Sequence, residues 1–337
     1  MFFLVKPILE KKYPLFNTAP AYWSSLKEVQ QAFRCTSYMF PYKNLCHNQN
    51  YHDEGIVMCG GGSLWISVFI SVSALRHHGC DLPIQVWYLG SQEYDEDMMR
   101  FISHLDVEFV DALAVAEDYE TRILKSSMCF QKFTKHATVG GYAMKSFAII
   151  NSRFERLLYL DADNTPTKNP YYLFESSHFL KYGLYFFPDK YHPDCENAFK
   201  LSKKNCEIFG VDFLGDISLD SGQILIDKSK CMNSIKQTFW WNDFSDYTYQ
   251  ILFGDKDTFD LGARQTKTKY YIVPKFPISG YGLQQHDHNG DLIFLHRCGA
   301  KWNLEKNIYL DRPQENLLHN FANKFIEKFK KQYKLYL

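Results

Sequence analysis

The run Leu157-Leu158-Tyr159-Leu160-Asp161-Ala162-Asp163-Asn164 constrains this chain more than any other stretch. Four consecutive apolar residues suit a strand buried on both faces, as in sheets covered by helices on either side. Such a strand needs neighbours, and the fold that supplies them is an α/β fold with a central sheet. On an extended chain residues i and i+2 point the same way, so Asp161 and Asp163 share a side just where the strand ends. Paired carboxylates there, a DXD motif, suit a hard divalent cation such as Mg²⁺ or Mn²⁺, which takes oxygen ligands and bridges them to phosphates. A nucleotide diphosphate is the expected ligand. The competing reading is a plain turn, since Asp163-Asn164-Thr165-Pro166 is also good turn chemistry.

The flanking segments follow the same α/β pattern. Gly55 to Cys59 reads as the first strand. Gly60-Gly61-Gly62 follows, then a helix from Ser63 to His78 with Leu64, Val68, Val72 and Leu75 at helical spacing. Glycines between a strand and a helix N-terminus let backbone approach an anionic ligand, which makes Cys59, Gly60 and Gly61 candidates to line a nucleotide site. Ile84 to Leu89 reads as a strand, Asp95 to His104 as an acidic helix, and Val107 to Val110 as a short strand. Tyr142 to Ile150 reads as the helix that feeds the acidic strand. Strands alternating with helices predict a largely parallel sheet with right-handed crossovers and ligands at the strands' carboxyl ends. After a second buried strand at Gly183 to Asp189, the second half reads as short strands and loops.

Composition agrees with a folded chain of one large unit. In 337 residues, 46% hydrophobic with 28 Phe and 23 Tyr, a substantial core is available and broad disorder is not expected. Basic and acidic residues cancel at 38 each, which gives no basis for a nucleic-acid partner. Nine scattered cysteines without a CxxC support neither a disulfide framework nor a zinc knuckle. Met1 to Val5 is far too short to span a bilayer, so the expectation is a soluble, cytoplasmic protein or a catalytic fragment. The tail repeats Leu317, Phe321, Phe325, Phe329, Tyr333 and Leu337 every four residues among Lys324, Lys328, Lys330, Lys331 and Lys334. That is a basic amphipathic helix, read first as packed on the domain and second as a peripheral membrane contact.

Several further blocks stand in order along the chain: Met144-Lys145-Ser146, the acidic run, Asp220-Ser221-Gly222-Gln223, Gly254-Asp255-Lys256-Asp257, and His296-Arg297-Cys298-Gly299-Ala300-Lys301-Trp302. In this order the chain resembles, from about Gly55 to Trp302, the fungal-type α-mannosyltransferases that extend mannan and N-glycan branches. That is a family of retaining glycosyltransferases with the GT-A fold. The resemblance implies a Rossmann-like, mostly parallel sheet and a catalytic domain over 55–310, while residues 1–54, rich in Tyr, Pro, Lys and Asn with weak periodicity, read as an N-terminal wrap. Within that domain, 55–165 would be the nucleotide-sugar half and 166–310 the acceptor half, and 311–337 the C-terminal helix. It implies transfer of α-mannose from GDP-mannose to a glycan acceptor. A UDP-hexose donor is the nearest alternative, and a glycan-binding relic of the fold is the alternative outside enzymes. His296 would join Asp161 and Asp163 on Mn²⁺ or Mg²⁺, because its block is similar to the metal-histidine motif of glycogenin-like transferases. Gly299 and Lys301 would lie near the diphosphate, Lys145 at the donor's phosphate or sugar, and Asp220, Ser221 and Gly222 along the transferred sugar. Asp255, Lys256 and Asp257 would face the acceptor, with Asp220, Asp255 and Asp257 as candidates to stabilise the cationic sugar or orient its hydroxyls. The loop residues His286, Asp287 and His288 are read as loop polarity, and His77-His78 as a helix end.

Overall fold

The acidic strand is buried on both faces, and its alternating side chains reach two different cores. Leu158 and Leu160 join one hydrophobic cluster, while Leu157 and Tyr159 join the other. A fully buried leucine contributes roughly 1.5 to 3 kcal/mol, so this short strand ties both layers together. The computed structural model describes residues 53–116, 142, 144–190, 201–215, 217–243, 248–249, 251–252, 254–305 and 307–333. The expected wrap over 1–54 lies outside these residues, apart from its last two.

In chain order the strands are β1 (Glu54–Cys59), β2 (Ile84–Tyr88), β3 (Val107–Asp111), β4 (Arg156–Leu160), β5 (Asn164–Pro166), β6 (Leu184–Pro188), β7 (Leu219–Asp227), β8 (Tyr271–Ile272), β9 (Ile278–Ser279), β10 (Leu283–His286) and β11 (Leu292–His296). Seven form a sheet in the order β3-β2-β1-β4-β7-β6-β8, and four form a smaller one in the order β5-β11-β10-β9. In the large sheet β3, β2, β1 and β4 are parallel, as are β6 and β8, and only β7 runs against its neighbours. The mostly parallel sheet expected from the alternating pattern is therefore present.

The α-helices of more than one turn among the described residues are α1 (Trp65–His77), α2 (Glu96–Ser103), α3 (Met144–Asn151), α4 (Ser177–Tyr182), α5 (Lys203–Phe209), α6 (Lys228–Asp243), α7 (Lys256–Thr266) and α8 (Glu315–Tyr333). Every residue of α1 from Trp65 to Leu75 is buried, because the sheet lies on one side and α8 on the other. The second half departs from the expected short strands and loops: α6 and α7 pack together over the far face of the sheet, with Ile235, Phe239, Trp240, Phe259 and Leu261 in the core. The residues Asp255-Lys256-Asp257 thus open a helix.

The tail is helical as expected, but its buried face is Leu318, Ala322, Phe325 and Phe329. A strict four-residue repeat drifts around a helix of 3.6 residues per turn, so Leu317 and Phe321 slide to the flank. The side chains of Lys330, Lys331 and Tyr333, together with Lys334 and Leu337, lie outside the described residues. No helix among the described residues is long and apolar enough to cross a membrane. The loop reading holds for Asp287 and His288, which lie between β10 and β11, and is corrected at His286. His286 ends β10, and the fully buried Asp287 accepts from Tyr172 Oη, from Lys168 Nζ and from the backbone amides of Asn289 and Asp291. These are the bonds of a structural turn between β10 and β11.

Candidate functional site

The turn reading of the acidic run is borne out, and the same turn gathers side chains that could hold a metal ion. The Asn164 amide donates to the Asp161 carbonyl at 2.9 Å, closing a turn that holds both acids at the end of β4. The Asp161 amide donates to Gly222 on β7 at 2.8 Å. Directly after the turn, β5 pairs with β11 in a register that sets Asn164 opposite His296. An imidazole more than a hundred residues away is thereby brought over the two carboxylates. One ligand atom each from Asp161, Asp163 and His296 lies within 4.8 Å of the others. His296 Nε2 is 3.5 Å from Asp163 Oδ1 and 3.9 Å from Asp161 Oδ2. Lys301, half-exposed, places its ammonium 3.2 Å from Asp163 Oδ2.

The other face of the imidazole is held by Asp220. Its Oδ2 lies 3.1 Å from His296 Nδ1 and also accepts from Gln285 Nε2 at 2.8 Å and Gln223 Nε2 at 3.1 Å. Its Oδ1 accepts the Gly222 amide at 2.9 Å. Asp220 is therefore occupied in orienting His296, which corrects its expected place along the transferred sugar. Gly222 is needed where it stands, because a Cβ there would lie 2.5 Å from His296 Cε1. Burial alone would raise Asp163, but its hydrogen bond and ion pair with His296, helped by Lys301, outweigh this and hold the carboxyl at about 2. Burial raises Asp161, partly offset by Lys145. For His296 burial favours the neutral ring, and the carboxylates of Asp220 and Asp163 reverse this and keep it cationic well above its usual range.

Lys145 is buried, and its ammonium is turned to the protein. It lies 2.9 Å from Asp255 Oδ2, 3.3 Å from Asp161 Oδ1, and donates to Ser221 Oγ and O at 2.9 and 3.0 Å. Ser221 Oγ donates in turn to Asp255 at 3.0 Å. Burial works against the charge and the two carboxylates restore it. The expectation that Lys145 meets the donor's phosphate gives way to another arrangement: it ties Asp161 to Asp255 beneath the site, with Ser221 as the third member.

The first glycine loop serves packing as much as ligand approach. A Cβ on Gly60 would meet Val68 at 2.5 Å and Ala162, between the two acids, at 3.2 Å, while the Gly60 amide is donated to Trp87. A Cβ on Gly61 would meet Glu93 at 2.6 Å. Cys59 lies beside Tyr159, and burial pushes its thiol up to about 12, so it is no nucleophile. Gly299 donates its amide to the Tyr281 carbonyl at 3.2 Å, which removes the N–H that a phosphate would have met.

Asp257 stands apart from the triad. Its Oδ1 accepts from Ser218 Oγ at 3.3 Å, and burial, countered in part by Lys256, raises the carboxyl to about 7. The folded state thus holds a proton that the unfolded chain releases near the usual 3.8, so stability falls as pH rises from about 4 to about 7. Three units correspond to a ceiling of about 4 kcal/mol. Asp257→Asn removes this titration. Its melting temperature relative to wild type is expected to climb between pH 5 and pH 8, and a flat or falling difference in thermal melts would refute the assignment.

Four residues that position the site were not singled out from sequence. Tyr159 Oη donates to Asp161 Oδ1 at 2.8 Å, and its spacing of two from Asp161 on one strand was the available signal. Gln223, Gln285 and Asn164 carry no such signal, since their roles arise from pairing between distant strands.

A model of the family described as "Mannosyltransferase putative" matches residues 53–294. The chain is 28% identical over 300 residues to the alpha-1,2-mannosyltransferase MNN21 of Candida albicans, covering 73% of this chain and 44% of that protein. It is 27% identical over 340 residues to MNN2 of the same organism, covering 80% and 55%, so it spans about half the length of these relatives. Among solved structures it is similar to the galactosyltransferase LgtC in complex with donor and acceptor sugar analogues. The TM-score is 0.50 at 12% identity, covering 81% of this chain and 96% of that one. The bifunctional glycosyltransferase WbbM matches at a TM-score of 0.52 and 11% identity, over 79% and 51%. At such identities the likeness establishes the fold, which is of the GT-A type.

Proposed function

Because the chain belongs to this mannosyltransferase family, we propose that it is a metal-dependent retaining glycosyltransferase that moves an α-mannosyl residue from GDP-mannose to a glycan. The observation that carries the reading is the meeting of Asp161, Asp163 and His296 at the end of β4, one atom from each within 4.8 Å of the others. Two carboxylates and one imidazole, which would give up its Nε2 proton on binding, make a donor set suited to Mn²⁺, with Mg²⁺ as the harder alternative. When bound, such an ion acts as a Lewis acid on the charge that gathers on the departing diphosphate.

The chain's own residues supply the rest. Asp220 holds the imidazole by Nδ1 so that Nε2 is turned toward Asp163 and Asp161. Lys301 adds a fixed cation at the outer edge of Asp163, where a phosphate oxygen would be met. Lys145 lies between Asp161 and Asp255 and offsets the negative charge gathered there. In a retaining transfer the leaving phosphate can accept the acceptor's proton, so none of the buried acids has to serve as base.

The test is a panel of GDP-mannose, UDP-glucose and UDP-galactose with Mn²⁺, read as nucleotide release and sugar transfer. Release of GDP with retention at the anomeric carbon is expected. Turnover of a UDP-sugar in preference would overturn the donor, and no turnover together with no metal-dependent nucleotide affinity would leave only a glycan-binding relic.

A further inference from the structure

We propose that Lys256 and Asp189 form the subsite that grips the acceptor, and that the acceptor terminus is an uncharged pyranose bound through adjacent hydroxyls. This inference rests on the transferase reading above and narrows the expected acceptor side to one residue pair, with Asp189 as the partner that the sequence did not single out.

The strand order carries the argument. Along the carboxyl edge of the sheet the neighbours run β1, β4, β7, β6. The glycine loop follows β1, the two acids follow β4, and Ser221 and Gly222 lie at the adjoining end of β7, which runs the other way. The next strand, β6, ends at Pro188, and Asp189 follows it, tied to the Ser218 carbonyl by its amide at 2.8 Å. Helix α7 begins at the same edge with Lys256, whose Nζ lies 2.6 Å from Asp189 Oδ2.

Neighbouring strands stand about 4.8 Å apart, so β6 is roughly 10 Å from β4, about one sugar ring beyond the metal triad. A nucleotide over β1 and a diphosphate at β4 place the transferred sugar at β7 and the incoming glycan at β6. The order of strands is then the order of substrate parts.

The chemistry of the pair suits a glycan. A sugar hydroxyl both donates and accepts, and an ammonium beside a carboxylate offers both partners at once. Each of the two side chains keeps about a fifth of its surface open, where Lys145 is almost wholly enclosed. Because the two charges cancel, the pair offers a phosphorylated terminus no net attraction. The neighbouring Asp257 and Asp220 add no positive charge.

The test uses the full chain with Mn²⁺, GDP-mannose and methyl α-mannoside as acceptor, comparing Lys256→Met and Asp189→Asn with wild type. Each variant is expected to raise the acceptor KM at least tenfold and the donor KM no more than twofold. Thermal melts confirm folding, and Asp189→Asn, which keeps the side-chain volume, covers the case in which Lys256→Met is unstable. An unchanged acceptor KM in both variants, or an equal rise in the donor KM, would overturn the subsite. A wild-type preference for mannose 6-phosphate over methyl α-mannoside would overturn the uncharged acceptor. Failure of the wild type to turn over any nucleotide sugar would instead remove the transferase reading and this subsite with it.

Discussion

Asp163→Ala is expected to lower sugar transfer about 10³-fold or more. Loss of a single well-placed electrostatic contact in an active site commonly costs about 3 to 4 kcal/mol, or roughly 10² to 10³ in rate. Asp163 carries more than one. Its carboxylate faces both His296 and Lys301, and it is one of the three groups able to hold a cation here. The fold has less at stake than the chemistry, because the backbone bond from the Arg297 amide to the Asp163 carbonyl does not involve the side chain. Asp163→Asn keeps the shape and removes the charge, so a similar loss in that variant assigns the effect to charge. The measurements are transfer at saturating GDP-mannose and direct Mn²⁺ titration by calorimetry. A variant within a few-fold of wild type in both would remove Asp163 from the mechanism.

How much of this was legible in the sequence follows from the range of the interactions. The β4 strand, its two acids, the glycine loop and α1 are local patterns of period two or 3.6, and they are where the residues put them. The link between the acidic turn and His296 was reachable only through the resemblance, because the pairing of β5 with β11 is a long-range register with no local mark. Roles failed where they depended on what a charged side chain meets. Lys145 stands in a helix that could have turned it toward a phosphate, and the structure turns it to Asp255 and Ser221. Asp220 belongs to a block read as sugar-facing, yet its oxygens go to His296, Gly222, Gln223 and Gln285. Helices α6 and α7 were missed because the segment between Lys228 and Thr266 mixes tryptophans and polar residues without a clean apolar stripe, and its burial comes from the two helices packing on each other and on the sheet.

The largest stability effect is expected from Glu315→Ala, at the start of α8. Glu315 and Arg297 form an ion pair with both side chains at 0% exposure. The same carboxylate accepts from Arg312 Nε at 3.1 Å and from the Leu310 amide at 3.1 Å. Arg297 in turn donates to the Ala300 and Ile308 carbonyls and lies 3.8 Å over the Trp302 ring. Burial opposes ionisation of Glu315, and Arg297 more than compensates, holding the carboxyl below its usual range. Removing one partner of such a pair leaves two guanidiniums enclosed without their counter-ion, at a cost of about 3 to 5 kcal/mol. At about 2 to 4 °C per kcal/mol, the melting temperature falls by roughly 6 to 20 °C. Replacing both partners with apolar residues of similar volume, Arg297→Met with Glu315→Leu, should lose less than the single change, because one guanidinium, Arg312, is left without its counter-ion instead of two. The site should feel the single change as well, since Arg297 directly follows His296 and its loop carries Lys301. Mn²⁺ raises the melting temperature of any form that still binds it. That rise is expected to shrink in Glu315→Ala and to return in the double variant. Equal stability in the single and double variants would mean that the pair's charges are not what holds α8 to the site.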